Sequence, residues 1–202
     1  MHKLPIVMSH YTVGTGYETE VRNLVASLER LDLDYVVLPI ESLGTWRKNS
    51  NYCSVAVLTT LQKFPNRNVL RVDADAVFHR VPKLLAQDDF VVDVAAHVHD
   101  FKWHRNELLG GTIFFRNTPA VLRLVDCWAT ECMVMKPSLR NPDLLQALLR
   151  SGQHPNVKFG ELPDTYCKIF DIMRNVQDPV IEHFQASRRF KDAVNQLGAG
   201  DH

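Results

Sequence analysis

The sequence predicts an α/β sandwich built around a mostly parallel, twisted sheet. Two observations point there. Short apolar strands alternate with amphipathic helical stretches from residue 4 onward, and those strands are apolar along most of their length, as strands covered on both faces are. A chain of 202 residues has the length of one domain, so residues 1–202 are expected to fold as a unit with 197–202 as a loose tail.

Leu4 to Thr12 reads as the first strand, ending in Val13-Gly14-Thr15-Gly16, a turn that lets backbone approach a ligand. Thr15 and Glu18 have the spacing of a capping box, and Val21, Leu24, Val25, Leu28 and Leu31 recur at helical spacing behind them. Asp34 to Ile40 is a second strand. A polar loop through Trp46 and Asn49 then leads to a helix from Cys53 to Lys63. Further strands are expected at Asn68–Asp73, Val91–His97 and Leu108–Phe115. Thr118-Pro119 opens a helix with Val121, Leu122, Val125 and Trp128 on one side, Trp128 being a core residue. Asn141-Pro142 repeats that opening for a helix at Asp143–Arg150. Short strands at Val157–Leu162 and Val180–His183 precede a closing helix, Gln185–Leu197, and the loose Gly198-Ala199-Gly200.

Composition excludes several classes. Twenty-three lysines and arginines balance twenty-three aspartates and glutamates, so no whole-molecule field draws the protein to nucleic acid or an anionic membrane. No apolar run approaches the roughly 20 residues that span a bilayer. The first eight residues hold too short an apolar core for a signal peptide, which makes the cytoplasm the expected location. Cys53, Cys127, Cys132 and Cys167 show no CxxC spacing and are expected as reduced, mostly buried thiols.

The most informative segment is Asn68-Val69-Leu70-Arg71-Val72-Asp73-Ala74-Asp75-Ala76-Val77. An apolar strand delivers two carboxylates, one small residue apart, to a sheet edge, where ligands of α/β folds collect. In extended chain, positions i and i+2 project from one face, and carboxylates that close repel unless a cation lies between them. The alternative is that one carboxylate caps the turn while the other is solvated. The His97, His99, Asp100 and His104 loop is expected to be solvated or to touch substrate rather than to bind zinc. Trp46, Trp103 and Tyr17 are aromatic surfaces for a base or sugar, or core residues.

With these segments in hand, the chain resembles the GT-A glycosyltransferases, specifically small bacterial and phage nucleotide-diphospho-sugar transferases. The matching pieces are Tyr11-Thr12, Thr15 and Tyr17-Glu18; Leu43-Gly44-Thr45-Trp46 with Asn49; Val72 to Val77; Leu108 to Pro119; Leu162-Pro163 with Tyr166-Cys167; and Val180 to Lys191, in order along the chain. The resemblance implies a single GT-A, Rossmann-like domain and a nucleotide-sugar donor, UDP-type favoured. Tyr11, Thr12, Thr15, Tyr17, Asn49, Asp73, Ala74, Gly110, Gly111, Thr112, Arg189 and Lys191 are the residues it places at the donor. It implies a metal held by Asp73, Asp75 and His183, with Mn²⁺ favoured over Mg²⁺ because an imidazole suits the softer ion. Asp75, Asp143 and Arg188 are the expected catalytic residues. Asp143 is followed by Leu144 where relatives often carry glutamine, and Cys53 stands near where they carry lysine.

The expected reaction is metal-dependent transfer of a sugar to a hydroxyl acceptor with retention. Similarity to phage-borne proteins adds a hydroxylated pyrimidine in DNA as one acceptor, with Arg188, Arg189 and Lys191 facing its phosphates and the host cytoplasm as the location. The alternatives are a catalytically silent nucleotide-sugar binding module and a nucleotidyltransferase.

Overall fold

The computed structural model describes residues 3–101 and 104–197. Trp103 and the tail at 198–202 lie outside the described residues. The element order is β1 (Ile6–Thr12), α1 (Tyr17–Arg30), β2 (Tyr35–Ile40), α2 (Trp46–Asn51), α3 (Cys53–Lys63), β3 (Val69–Val72), β4 (Ala76–Phe78), β5 (Val94–Phe101), β6 (His104–Phe115), α4 (Pro119–Thr130), a π-helical turn (Glu131–Met135), α5 (Asn141–Arg150), β7 (Phe159–Glu161), β8 (Lys168–Ile169), β9 (Ile181–His183) and α6 (Ser187–Leu197).

Six strands form the central sheet in the order β2-β1-β3-β6-β5-β7. β1 pairs in parallel with β2 and β3, β5 pairs in parallel with β7, and β6 runs antiparallel to both its neighbours. Five strands therefore share one direction and β6 opposes them, which is the mostly parallel α/β architecture the sequence predicts.

Alternation within each apolar strand serves two helical layers. Val7, Leu70, Val72, Ala95 and Phe114 pack with Val21, Leu24 and Leu28 of α1. Met8, Val69, Val94, Ile113 and Phe115 face the other way, onto α3, α4 and α5. Trp128 sits at the centre of that second layer: it is fully buried, stacks on Phe115 at 5.8 Å and donates from Nε1 to the Asn141 carbonyl at 2.8 Å.

Several local expectations are corrected. The 46–51 segment is helical rather than a loop, capped by Thr45, whose hydroxyl accepts from the Lys48 amide at 3.2 Å. Its polar residues are buried because the partners are backbone: Asn51 Nδ2 donates to the carbonyls of Cys132, Pro137 and Leu139. Thr15 and Glu18 do not form a capping box. The helix starts one residue later, Glu18 accepts from the Gly14 amide, and Thr15 bonds the Thr12 carbonyl and the Tyr17 amide. Asn141 is the first residue of α5, not its cap. The expected histidine loop is instead the arm of a β5–β6 hairpin in which Phe101 pairs with His104.

Beside the main sheet lies a second one of three short strands, β4-β9-β8. β4 and β9 are antiparallel with Ala76 opposite His183, so this sheet carries a late histidine to the end of the acidic segment.

Replacing Trp128 with Ala is expected to lower unfolding free energy by about 3–5 kcal/mol, since it empties a closed aromatic site. Urea denaturation followed by circular dichroism measures this.

Candidate active site

The strand ends and the small sheet enclose a cavity of about 340 Å³, within the range of small-ligand sites. Asp73, Ala74 and Asp75 form the turn between β3 and β4 at its floor. The Asp73 amide donates to the Gly111 carbonyl at 2.9 Å, which continues the β3–β6 ladder one step beyond the strand. Ligand atoms of Asp73, Asp75 and His183 lie within 4.8 Å of one another, and this is the metal-competent group of acidic, histidine or cysteine side chains found among the described residues.

Each member is held from behind. Asp75 Oδ2 accepts from the Ala186 amide at 2.7 Å, tying the acidic turn to the start of α6. His183 Nε2 lies 2.8 Å from the Thr112 hydroxyl. Gly111 lets the ring lie flat against the backbone there, for a Cβ at that position would sit 3.1 Å from it. Asp73 Oδ1 accepts from Arg71 at 2.5 Å, and Arg71 also donates to the Gly110 carbonyl.

The residues fit a divalent cation. Asp75 Oδ1 and His183 Nδ1 are buried, have no hydrogen-bond partner and face each other at 3.6 Å, too far for a direct bond. Two orphaned donor atoms of the right chemistry, with a second carboxylate beside them, leave a gap that a cation closes. Electrostatics agree. Burial alone would lower the His183 pKa, but Cys167 and Asp75 beside it outweigh burial and push it up to about 10. Burial would raise Asp75, yet the adjacent His183 and the bond from the Ala186 amide hold it below the usual carboxylate range.

The cavity gathers most of the donor residues expected from sequence: Tyr11, Thr12, Tyr17 and Asn49 on one side, Gly110 and Gly111 on the other. Thr112 is fully buried behind His183. Tyr17 receives a hydrogen bond from Trp46 Nε1 at 2.9 Å, and burial first of all pushes its pKa up to about 12, so it stays a neutral wall. Thr15 is part of the turn beneath.

Four expected residues are engaged elsewhere. Asp143 is gripped by Arg140 through two bonds of 2.7 Å. Arg188 pairs with Asp171, and Arg189 pairs with Glu20 at 2.9 Å. Lys191 lies over the Trp46 ring at 5.3 Å, on the outer side of the wall. His97 Nδ1 bonds the Leu162 carbonyl at 3.0 Å, a structural role in the hairpin arm.

Some site residues carry no sequence signal strong enough to single them out. Arg71 is 3% exposed within an apolar strand, and its spacing from Asp73 is the trace it leaves, since a buried guanidinium needs an acid partner. Arg47 lines the cavity without an acidic partner among the described residues. Burial, then the charge of nearby Arg140, pulls its pKa down. His10 also lines the wall, with Nε2 at 2.9 Å from the Asn49 carbonyl. A carbonyl only accepts, so Nε2 carries the proton and Nδ1 remains an acceptor. Burial, then Arg71, lowers the His10 pKa to about 4.

Comparison with known proteins places this geometry. The profile of the nucleotide-diphospho-sugar transferases matches residues 56–190, from α3 into α6 and through the acidic turn and His183. The chain belongs to the nucleotide-diphospho-sugar transferase family. No curated protein matches the sequence. Among solved structures, the fold is shared with a glycosyltransferase involved in glycosylation of the major capsid of PBCV-1: TM-score 0.67, 13% identity, covering 96% of this chain and 99% of that one. It is shared too with glycosyltransferase GlyE of Streptococcus pneumoniae TIGR4, at TM-score 0.62, 14% identity and 98% of this chain. The bifunctional glycosyltransferase WbbM matches at TM-score 0.56 and 11% identity over 100% of this chain. The chain spans 61% of the GlyE structure and 50% of the WbbM structure.

The His10 shift sets a pH window. Between about pH 4 and 6.5 the unfolded state binds the His10 proton and the folded state does not, so folding stability falls as pH drops through that range. His10→Asn is expected to flatten this limb in urea titrations at pH 4.5, 5.5 and 6.5. An unchanged slope would show that the histidine is already charged in the fold.

Proposed function

We propose that this protein transfers a sugar from a nucleoside diphosphate, UDP favoured, to a hydroxyl acceptor, with Asp73, Asp75 and His183 holding Mn²⁺ or Mg²⁺. The observation that carries this reading is the pair of buried, partnerless atoms Asp75 Oδ1 and His183 Nδ1 on the floor of a cavity lined by family residues. When bound, the cation supplies neutralisation of the charge that develops on the departing diphosphate.

The chain's own residues do the rest. Tyr11, Thr12, Tyr17 and Trp46 form the wall for base and ribose, and Asn49 presents its buried, unpartnered Nδ2 beside them. Gly110 and Gly111 bring backbone close, with Pro142 filling the space behind Gly110. Cys53 is fully buried and is not part of the cavity lining. Arg47, one helix earlier, is the cation proposed to meet the diphosphate, since it faces the cavity with no carboxylate of its own. Retention is the stereochemistry that the late histidine in the metal set favours.

The basic residues that suggest a DNA acceptor are largely neutralised: Asp171 answers Arg188 and Glu20 answers Arg189. With zero net charge overall, the acceptor hydroxyl is read as belonging to something other than a phosphate-rich polymer.

A thermal-shift series over UDP, GDP, CDP and TDP, each with and without Mn²⁺, tests the site. A metal-dependent rise of about 5 °C or more is expected for one nucleotide at about a hundred times its Kd. Asp75→Ala should abolish it. Because His183 surrenders a proton as metal binds, Mn²⁺ affinity should climb between pH 6 and 9, by up to about tenfold per unit. Stabilisation that is equal with and without Mn²⁺ would contradict the metal centre.

A further inference from the structure

The end of the cavity near β8 has a different chemistry from the nucleotide wall. Its floor is a separate apolar cluster in which Leu109, Cys167 and Ile169 pack together with Phe101 at the edge. Ile172 stands at the lip, 44% exposed. One polar group interrupts this surface. Glu107 shares the cavity-facing side of β6 with Leu109 and Gly111, as residues two apart on a strand do.

Glu107 is held in place by a relay of charge. Arg140 Nη1 donates to Glu107 Oε1 at 2.8 Å, while its Nε and Nη2 donate to the two oxygens of Asp143 at 2.7 Å each. One guanidinium thus serves two carboxylates, and Arg47, near enough to feel the charges of Arg140 and Asp143, lines the same cavity. Glu107 Oε2 has no protein hydrogen bond among the described residues, and the Glu107 side chain is 14% exposed. A fixed, outward carboxylate oxygen above an apolar floor matches the two faces of a sugar ring, hydroxyls on the rim and C–H groups below.

We propose that Glu107, positioned by Arg140 and Asp143, is the acceptor-binding carboxylate of a subsite for a neutral pyranoside, with Leu109, Phe101 and Ile172 as its apolar bed. The proposal deepens the transferase reading and rests on it for the identity of the neighbouring donor site. It also gives Asp143 a use: the residue acts through Arg140 as a positioning group.

Saturation-transfer NMR with methyl glucoside, methyl galactoside and methyl mannoside, with and without UDP and Mn²⁺, tests it. At least one glycoside should receive saturation from the wild-type protein even without nucleotide. Glu107→Ala should weaken that glycoside at least about tenfold, whereas Glu107→Gln, which keeps an acceptor oxygen, should stay within about threefold. Asp143→Asn should fall between them. The Mn²⁺-dependent nucleotide shift should be unchanged in all three variants. Glycoside binding without any nucleotide shift would support the subsite while sinking the donor reading. The proposal is overturned if no methyl glycoside binds, if Glu107→Ala binds as wild type does, or if a hydroxymethylated DNA duplex competes for the site. It is also overturned as a binding role if Glu107→Gln transfers sugar more than a hundredfold slower at unchanged acceptor KM.

Discussion

The site depends on one pairing of very short strands. Three residues of β4 lie antiparallel to three of β9, and the register sets Ala76 against His183. Asp75 is therefore next to the imidazole by backbone geometry, and its other oxygen caps the amide of Ala186 where the chain turns into α6. Gln185 takes a left-handed conformation, φ 54°, at that turn. One carboxylate thus faces the imidazole with one oxygen and anchors the C-terminal helix with the other. α6 in turn backs the Tyr17–Trp46 wall: Asn195 accepts from the Trp46 amide at 2.8 Å, and Phe190 packs edge-on against Tyr17 at 5.5 Å. The Tyr17–Trp46 wall and the acidic turn are thus both tied to α6 and the residues leading into it.

Charge is distributed along the cavity in a way that separates its tasks. Arg71 is used up within the protein, stiffening Asp73 from below. Arg140 is used up as well, between Glu107 and Asp143. Arg47 faces the same space with no salt bridge among the described residues. The neutral overall charge then makes sense, because recognition is local and needs no long-range field.

The sandwich was legible because its cause is periodicity. Strands such as Val69–Val72 are apolar on successive residues since helices cover both faces, and Thr118-Pro119 caps α4 as its residue types require, the Thr118 hydroxyl accepting from the Val121 amide. The acidic turn and the late histidine were legible as chemistry through family resemblance, but their contact is a matter of strand register, which no local pattern encodes. α2 was hidden because its burial is polar: Asn51 Nδ2 donates to backbone carbonyls distant in sequence, and Asn49 Oδ1 accepts from the nearby Leu43 amide. The hairpin arm was hidden for the opposite reason, since residues 98–101 and 106–107 lie outside the fully buried core and lack the apolar signature of a strand. Glu107 and Arg140 are ordinary surface types until the fold places them 2.8 Å apart at a cavity wall.

The central claim is that an imidazole thirty-odd residues beyond α5 completes a metal site begun at the end of β3. Pulsed electron paramagnetic resonance of the Mn²⁺-loaded protein tests it directly. The account predicts a ¹⁴N modulation from one imidazole in the wild type that vanishes in His183→Asn while the fold persists. A Mn²⁺ spectrum with no nitrogen coupling, or one identical in the two proteins, would contradict it.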